Sequence, residues 1–381
     1  MEDLSKTREK INAIDNQIID LWKERMDAAL EVAKYKKENN LPVLDSQREK
    51  ELLDRVAERA GEGLDTYARA LYNTVMGVSR SYQHKYLYSG GEISEKIKSA
   101  LENTQQLFPQ KAIVACQGVE GAYSGLAAEK IFKYPNVSYF KSWYDVVNAV
   151  EQGLCRYGVL PIENSTAGSV NGVYDLMAEH NFYIVRSIRL KINHCLLANR
   201  GTSLENIKEI YSHEQAINQC SEFLRLHSDI KVNVCENTAV AAKKVMESGR
   251  TDVAAISSEN CRELYNLCVI SDSVQNKNNN YTRFICISKE AEIYPGADKT
   301  SVVLTLPHRP GALYQVLAGF YALGINIIKL ESRPIQNKDF EFMFYFDVAA
   351  SVYDEAFYEI LEQLSDECEY FHYLGSYSEV M

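Results

Sequence analysis

The spacing of apolar residues changes twice along the chain, and these changes constrain the fold more than any other feature. Residues 4 to about 86 carry a helical period throughout. The next segment alternates short apolar strands with helical stretches, as in open α/β sheets, whose ligands bind at the carboxyl ends of strands. The last follows the order strand, helix, strand, strand, helix, strand of a ferredoxin-like βαββαβ unit. We therefore predict a multidomain α, α/β and α+β protein with domains at 1–88, 111–289 and 300–381 and linkers at 89–110 and 290–299.

Composition excludes several classes of protein. With 46% hydrophobic and 24% charged residues, the chain is an ordinary globular protein that buries a core. No apolar run approaches the roughly 18 residues of a membrane span, and the charged N-terminal residues are unlike a secretory signal. The net charge of −11 argues against nucleic acid as a partner. An anionic substrate would therefore need a local cluster of cations.

The cysteines and histidines show no ligand spacing. The nine cysteines are scattered and none lies in a CxxC motif, and the seven histidines are isolated from one another. This usage favours reduced thiols in a cytoplasm over disulfides or a zinc site. We predict a cytoplasmic protein without metal or cofactor.

Three helices are expected in the first segment. Leu41 and Pro42 should end the first of them, and Gly61 and Gly63 the second. The predicted bounds are Leu4–Asn39, Ser46–Ala60 and Asp65–Tyr86.

Three cations fall on the apolar stripe of the first helix. Heptad-like steps place Arg8, Arg25 and Lys36 among apolar residues. Because buried unpaired charge is expensive, we expect them to face an anion; alternatively they extend to the edge of the stripe. Arg25 and Lys36 are roughly 16 Å apart along the axis and can converge on one ligand. Arg8 is roughly 26 Å from Arg25, so it serves another ligand or the site of a second subunit.

Further polar residues follow in the second helix. Arg48 and Glu49 come three and four residues after Asp45, so the three side chains point the same way. An alternative for Glu49 is a capping box with Ser46, in which each side chain bonds the backbone of the other residue.

In the third helix, Ser79 and Gln83 lie one turn apart, where each alone would be an ordinary hydrogen-bonded polar group.

The three helices together, about 85 residues, resemble the all-helical chorismate mutases. The motifs that carry the resemblance are TREKINAID, KERMDAALEVAKYK, LPVLDSQREKELL and SRSYQ.

That resemblance implies a three-helix domain whose active site is intertwined between two subunits. Chorismate rearranges to prephenate in one pericyclic step, which is helped by holding the dianion in its reactive conformer and by stabilising charge on the ether oxygen. The implied contacts are Arg25, Ser79 and the second subunit's Arg8 to carboxylates, Lys36 and Gln83 to the ether oxygen, and Asp45, Arg48 and Glu49 around the ring hydroxyl.

Hydroxyl and amide side chains recur where strands of the α/β segment lead into helices. Such groups, beside the free N–H groups of a helix start, can bind carboxylates. Simple N-capping explains any one of them, but explains less well why they recur at one edge of a sheet. The polar run SVQNKNNNYTRF at 273–284 can likewise be a surface loop. The candidates are Ser124, Asn164, Ser165, Thr166, Ser212, Thr282 and Arg283.

About 175 residues of this segment resemble prephenate dehydratase, through GVEGAYS, LPIENSTAGSV, YSHEQAINQC, NTAVAA, AAISS and NNNYTRF. The resemblance implies a two-lobed fold like that of periplasmic binding proteins. It makes Thr282 the essential hydroxyl, which donates a hydrogen bond to the departing ring hydroxyl as prephenate loses carbon dioxide. Arg283, Ser212 and the loop 164–166 become partners of the substrate. Ala122 stands where the family commonly has Thr, so we rank Ser124 below Thr282.

Residues 300–381 resemble an ACT domain, the amino-acid-sensing module attached to such dehydratases. PGAL at 310–313 opens its first helix and ESRP at 331–334 closes its second strand. On their own, Gly311 indicates a tight turn and Pro334 a strand end. The resemblance implies feedback by phenylalanine bound at Gly311, Ala312, Leu313, Asn326, Glu331 and Ser332.

The three resemblances belong to one pathway and support each other. We predict a bifunctional chorismate mutase–prephenate dehydratase of phenylalanine biosynthesis, active as a homodimer or higher homo-oligomer. The alternative from another class is a non-catalytic amino-acid sensor whose α/β segment only binds its ligand. A chorismate mutase fused to a dehydrogenase is disfavoured, because no GxGxxG motif follows a predicted strand.

Overall fold

The structure is a computed structural model that describes residues 2–39, 41, 43–87, 90–335 and 341–380. The chain forms two units, one of Met1–Lys98 with Val302–Tyr373 and the other of Ser99–Ser301 with Leu374–Met381. Among the described residues, no helix is long and apolar enough to cross a membrane. All nine cysteines are free thiols.

The first unit begins with the three predicted helices, α1 (Glu2–Glu38), α2 (Ser46–Ala60) and α3 (Asp65–Leu87). Their bounds match the prediction within two residues; Pro42 lies outside the described residues. Both α1 and α2 pack on α3. Gly61 ends α2 with a φ of 78°, a left-handed conformation that glycine adopts without steric cost. The capping-box interpretation of Ser46 and Glu49 is wrong, because the N-cap of α2 is Asp45, whose side chain accepts the N–H of Arg48.

A fourth helix, α4 (Glu92–Asn103), lies inside the segment that we predicted as the linker 89–110. It is amphipathic: Ser94, Ile97 and Ala100 are buried at a helical spacing of three residues. The sequence carries this period, but it is short and flanked by polar residues, so it was missed.

The second unit holds most of the strands. In chain order its elements are β1 (Lys111–Gln117), α5 (Tyr123–Ile131), β2 (Tyr134–Phe140), α6 (Trp143–Glu151), β3 (Tyr157–Asn164), β4 (Gly168–Ser169), α7 (Asn171–Glu179), β5 (Tyr183–Lys191), β6 (Cys195–Ala198), β7 (Glu209–Ser212), α8 (Glu214–Gln219), α9 (Ser221–Leu226), β8 (Lys231–Val234), α10 (Thr238–Ser248), β9 (Val253–Ser257), α11 (Asn260–Leu264), β10 (Cys268–Ser271) and β11 (Tyr281–Ser288).

These strands form two lobes. The first lobe has the strand order β5-β11-β3-β1-β2, and the second has β10-β6-β9-β7-β8. In the first lobe β1, β2 and β3 are parallel and β11 runs against β3, so the carboxyl ends of β1 and β3 and the start of β11 share one edge. In the second lobe β7, β8 and β9 are parallel. The polar residues that follow these strands are thereby collected at sheet edges.

Each lobe has its own apolar core. In the first, buried side chains of β1, β3 and β11 pack with α5. In the second, alanines of α10 and β9 let helix and sheet approach closely. The alternation of apolar strands and helices expected for this segment is present, but the helical stretch QAINQCSEFLRLH at 215–227 is divided at Cys220 into α8 and α9.

The C-terminal elements follow the predicted βαββαβ order. They are β12 (Lys299–Thr305), α12 (Ala312–Ala322), β13 (Asn326–Pro334), β14 (Phe342–Ala349), α13 (Glu355–Glu367) and β15 (Tyr370–Val380). Their strand order, β13-β14-β12-β15, is that of a ferredoxin-like sheet. Strand β13 pairs only with β14 among the described strands, so its other edge is unpaired.

Candidate active sites

A pocket of about 360 Å³ lies between α1, α2 and α3. Every residue predicted for the mutase site lines it except Arg8: Arg25, Lys36, Asp45, Arg48, Glu49, Ser79 and Gln83. Residues from three helices that are distant in sequence therefore meet around one space.

The pocket has more cations than anions. Five cationic residues and two acidic residues line it, in a chain whose overall charge is −11. Nη1 of Arg25 is buried and has no hydrogen-bond partner among the described residues. Lys36 donates from Nζ to the carbonyl of Val43 at 2.8 Å. A buried N–H without an acceptor is costly, so this arrangement is suited to an anionic ligand.

The polar residues of α3 are held within the helix bundle. Ser79 and Gln83 are 3% and 9% exposed, and Nε2 of Gln83 lies 3.3 Å from Oγ of Ser79. Arg80, which is also on α3, donates from Nη1 to Oε1 of Glu49 on α2. Arg80, which the sequence analysis did not single out, is only 4% exposed.

Arg8 lies on the exposed part of α1, away from the pocket. Around it the helix exposes an apolar stripe, which we define as Leu4, Ile11, Ile14, Ile18, Leu21 and Trp22. These side chains are 37–64% exposed, which is unusual for so many large apolar residues on one helix. The structure of a single chain therefore does not bring Arg8 together with Arg25 and Lys36.

A second polar space, a cleft of about 260 Å³, lies between the two lobes of the α/β unit. From the first lobe, Ser124, Asn164 and Thr282 line it. From the second, Gln215 and Gln219 of α8 and the start of α10 line it. Three of the seven residues singled out in the sequence of this segment therefore face one cleft.

Thr282 and Asn164 are at the centre of a hydrogen-bond network in this cleft. They are cross-strand partners of β11 and β3. Nδ2 of Asn164 donates to Oγ1 of Thr282 at 2.9 Å. Oδ1 of Asn164 accepts from the backbone N–H groups of Thr166 and Ala167, and from the Thr166 hydroxyl at 2.7 Å. Because three donors hold the oxygen of this amide, its nitrogen must face Thr282, whose own hydrogen is then available to a ligand.

Gln219 extends the network from the second lobe. Its Oε1 accepts from Nδ2 of Asn280 and lies 3.0 Å from Nε2 of His194. Its Nε2 donates to the hydroxyl of Thr166 at 2.9 Å. An amide oxygen can only accept, so Nε2 of His194 carries a proton. Burial lowers the pKa of His194, which keeps the ring neutral although Gln219 opposes this shift.

Other predicted dehydratase residues lie outside the cleft lining. Oγ of Ser212 donates to the carbonyl of Ile256 at 2.7 Å, which ties β7 to β9. Ser165 bonds the backbone of the 279–281 segment. Thr282 and Phe284 line the cleft, so Arg283, between them on β11, points to the opposite face, where its Nε is 3.6 Å from Glu163.

The glycine turn before α5 lacks a side-chain cap. Ala122, the residue in place of the usual Thr, is the N-cap and makes no side-chain bond. Ser124 lies in the cleft lining and donates to the carbonyl of Gln117 at 2.6 Å. Its hydroxyl oxygen still has lone pairs for a ligand, but its hydrogen is already used.

The six residues predicted for phenylalanine lie on two elements of the C-terminal domain. Gly311 is the N-cap of α12, with a φ of 85°. Ala312 is buried, while Asn326 and Ser332 are exposed on β13. Because β12, α12 and β13 form a βαβ crossover, the start of α12 and the end of β13 lie at the same edge of the sheet.

Comparisons with known proteins agree with these three parts. Family models match for chorismate mutase type II at residues 7–84, prephenate dehydratase at 114–292 and the ACT domain at 300–366. Bifunctional chorismate mutase/prephenate dehydratase from Enterobacter agglomerans is 33% identical over 97% of this chain and 94% of that protein. The protein of the same name from Escherichia coli K12 is 32% identical over 97% and 95%. The chain belongs to the bifunctional chorismate mutase/prephenate dehydratase family.

A solved structure supports the fold of the second and third parts. A prephenate dehydratase from Arthrobacter aurescens, crystallised with L-Phe, has a TM-score of 0.64 and 27% identity over 70% of this chain and 90% of that one. Family membership decides against the non-catalytic sensor as the class of this protein: the chain is a bifunctional enzyme with an isomerase part and a lyase part.

Sequence reasoning missed Gln219, Asn280, His194 and Arg80. Gln219 and Asn280 stand inside the motifs YSHEQAINQC and NNNYTRF, and amides near a threonine that was predicted to be catalytic were a usable signal. His194 and Arg80 had no such signal, because only the packing of distant segments brings them to their sites.

Proposed function

We propose that the helical pocket converts chorismate to prephenate, that the α/β cleft converts prephenate to phenylpyruvate, and that L-phenylalanine bound at the ACT domain inhibits the pathway. The domain bounds at 88, 111, 289 and 300 and the cytoplasmic location stay predictions within this proposal. The observation that supports it most is the hydrogen bond from Asn164 to Thr282, since it leaves the threonine hydroxyl free to donate.

In the mutase step the pocket acts by holding and stabilising its substrate. The unpartnered Nη1 of Arg25 takes a carboxylate, with help from Ser79. Lys36 exchanges its bond to the Val43 carbonyl for the ether oxygen, where negative charge develops as the bond breaks, and Gln83 meets the same oxygen. Asp45, Arg48 and Glu49 surround the ring hydroxyl. No proton transfer is needed, so fixed charges and geometry supply the rate enhancement.

The remaining carboxylate contact comes from Arg8 of a second subunit. Two copies of the apolar stripe, placed against each other, would bury side chains that one chain leaves exposed. If two α1 helices pair along this stripe, each Arg8 lies near the pocket of the partner. It then does not have to span the roughly 26 Å to Arg25 of its own chain. The enzyme is therefore active as a homodimer or a higher homo-oligomer of such dimers.

In the dehydratase step, the hydroxyl of Thr282 donates a hydrogen bond to the departing ring hydroxyl. Asn164 fixes the threonine oxygen, and Gln219 together with Thr166 fixes Asn164. As carbon dioxide leaves, its bonding electrons form the new ring double bond and expel the hydroxyl as hydroxide, which takes up a proton from the solvent to become water. Hydrogen-bond donation lowers this barrier without a change of charge on the enzyme.

Phenylalanine binds where the start of α12 meets the end of β13. Free N–H groups after Gly311 can hold its carboxylate, and Glu331 and Ser332, near the end of β13, offer polar partners. Asn326 is the first residue of β13, so within one chain it lies at the opposite edge of the sheet. The solved relative crystallised with L-Phe supports this choice of effector. Inhibition follows if phenylalanine prefers a state in which the dehydratase cleft is less competent.

Separating the two activities tests the assignment. Thr282→Ala should reduce dehydratase kcat about a hundred- to a thousandfold while mutase turnover is unchanged, and Thr282→Ser should retain much more activity. Arg25→Ala should do the reverse, and Lys34→Ala, which removes an exposed cation of the same helix, should affect neither. Both rates are measured with purified protein on chorismate and on prephenate. A Thr282→Ala enzyme that dehydrates prephenate normally refutes the proposed role.

A further inference from the structure

Arg80 of α3 is a buried cation shared by two carboxylates from different parts of the chain. Its Nη1 donates to Oε1 of Glu49, in the mutase pocket, and its Nε donates to Oε1 of Glu367, the last residue of α13, at 2.7 Å. Burial lowers the pKa of Arg80, but the charges of Glu367 and Glu49 outweigh it and leave that pKa raised. The guanidinium therefore stays charged, and each carboxylate neutralises part of it.

Glu49 is held by one oxygen only. Within the described part of the chain, its Oε2 has no hydrogen-bond partner, and the residue lines the pocket. A carboxylate can accept bonds at both oxygens, so Oε2 is available to a hydroxyl of the substrate. Oε2 stays available only while Arg80 donates to Glu49 through a single N–H group.

A guanidinium beside one carboxylate prefers two parallel hydrogen bonds, which would engage both oxygens. Here Glu367 anchors Nε and fixes the plane of the Arg80 side chain, so that Nη1 reaches Glu49 alone. Glu367 is itself oriented by Gln363, whose Nε2 donates to the same Oε1 at 3.1 Å. The orientation of the mutase residue is thus set from the C-terminal helix.

We propose that Glu367 is a positioning residue of the mutase site: it anchors Arg80, and Arg80 holds Glu49 with one oxygen free for the ring hydroxyl. The inference rests on the proposed role of Glu49. It makes the mutase site dependent on α13, an element of the ACT domain, and offers a physical route by which a change in that domain reaches the first reaction.

The opposing interpretation is a purely structural ion pair. Removing one partner of a buried pair strands the other charge, so Arg80 variants can lose stability for reasons unrelated to catalysis. Glu367→Gln avoids most of this, because the amide oxygen can still accept a hydrogen bond and no buried group loses its partner. Without the negative charge it is a weaker anchor for Nε, so Arg80 is drawn towards the carboxylate of Glu49. Asp366→Asn is the matched control: it removes a carboxylate from the same helix, and Asp366 is 70% exposed and 3.9 Å from His84 of α3.

The test compares mutase kcat and KM in wild type, Glu367→Gln, Asp366→Asn, Arg80→Gln, the double variant of Arg80 and Glu367, and Glu49→Ala. We expect Glu367→Gln to lower kcat about tenfold with little change in KM, since a more weakly anchored Arg80 can turn to engage both oxygens of Glu49 and leave none for the reacting conformer. Asp366→Asn should stay near wild type. The double variant should match Arg80→Gln, because Glu367 has nothing to anchor once the guanidinium is gone.

Dehydratase rate and unfolding temperature, measured on the same preparations, report whether each variant is folded. A Glu367→Gln enzyme with wild-type mutase kcat, an equal fall in Asp366→Asn, or additive effects in the double variant would each overturn the inference. If Glu49→Ala lowers kcat and Glu367→Gln does not, only the role of Glu367 fails. If Glu49→Ala has no effect, the proposed role of Glu49 fails and the inference with it.

Discussion

The amide nitrogen of Asn164 lies 2.9 Å from the hydroxyl oxygen of Thr282, and this pair sets the direction of the threonine hydrogen. The two residues are directly opposite each other on antiparallel strands, so the backbone register fixes their approach. Three donors at the other end of the amide prevent it from turning over. The threonine is thereby arranged as a donor, which is the property that loss of a hydroxyl requires.

Replacing this amide by a carboxylate should reverse the direction of the bond. In Asn164→Asp, Thr282 would donate to the new oxygen and have no hydrogen for the substrate. We expect dehydratase kcat to fall about a hundred- to a thousandfold, with mutase turnover unchanged. Asn136→Asp, the same change on exposed β2, is the control. Steady-state rates on prephenate check the prediction, and a rate near wild type in Asn164→Asp would contradict the proposed orientation.

The dehydratase should be insensitive to pH from about 6.5 to 9. The central side chains of its cleft, those of Thr282, Asn164 and Gln219, do not ionise in this range. Burial lowers the pKa values of His194 and His213, so both rings are neutral there.

Below this pH range the free energy of unfolding should depend on pH. Unfolded histidine binds protons at a higher pH than these buried rings, so the free energy of unfolding should decrease as pH falls below about 6.5. Profiles of kcat and of chemical unfolding against pH, measured on one preparation, check both statements. A dehydratase kcat that changes tenfold between pH 7 and 9 would show that an ionising group takes part.

Mixing two inactive variants should restore mutase activity if the site is shared. Arg8→Ala and Lys36→Ala each inactivate a homodimer, but a mixed dimer holds one site with both residues intact. Recovered activity should approach a quarter of wild type at equal mixing, because about half of the dimers are mixed and each has one site. Subunit exchange is verified with tagged chains. Absence of recovery after exchange would mean that Arg8 acts within its own chain or elsewhere.

Two glycines at opposite ends of α12 offer a matched test of feedback. Gly311 and Gly324 have φ values of 85° and 67°, and a Cβ built on either meets no heavy atom within 4 Å. Valine at either position therefore brings comparable backbone strain, but only position 311 adjoins the proposed phenylalanine site. We expect Gly311→Val to abolish inhibition of the dehydratase and Gly324→Val to retain it. Dehydratase rate against phenylalanine concentration is the measurement, and equal inhibition of both variants would place the site elsewhere.

The sequence by itself determined the elements and the chemistry of this protein. The periods of 3.6 and 2 residues located α1, α2 and α3 within two residues and predicted the order of the C-terminal βαββαβ unit, because amphipathic spacing is a local property. The motifs singled out Asn164 and Thr282, which line one cleft, and eight residues for the mutase site, of which seven line one pocket. Burial of charge on an apolar helix also predicted an anionic ligand before any contact was known.

Only the tertiary structure decided which side chains face those sites and which serve the fold. Arg283 and Ser212 have side chains that could bind a ligand. Strand alternation directs Arg283 away from the cleft, and Ser212 donates to a backbone carbonyl. Arg80 has no local sequence signal, and it is the packing of α2 and α13 that places Glu49 and Glu367 on either side of it. Residues 31 and 287 positions apart in sequence can meet only through long-range packing, which local periodicity does not encode.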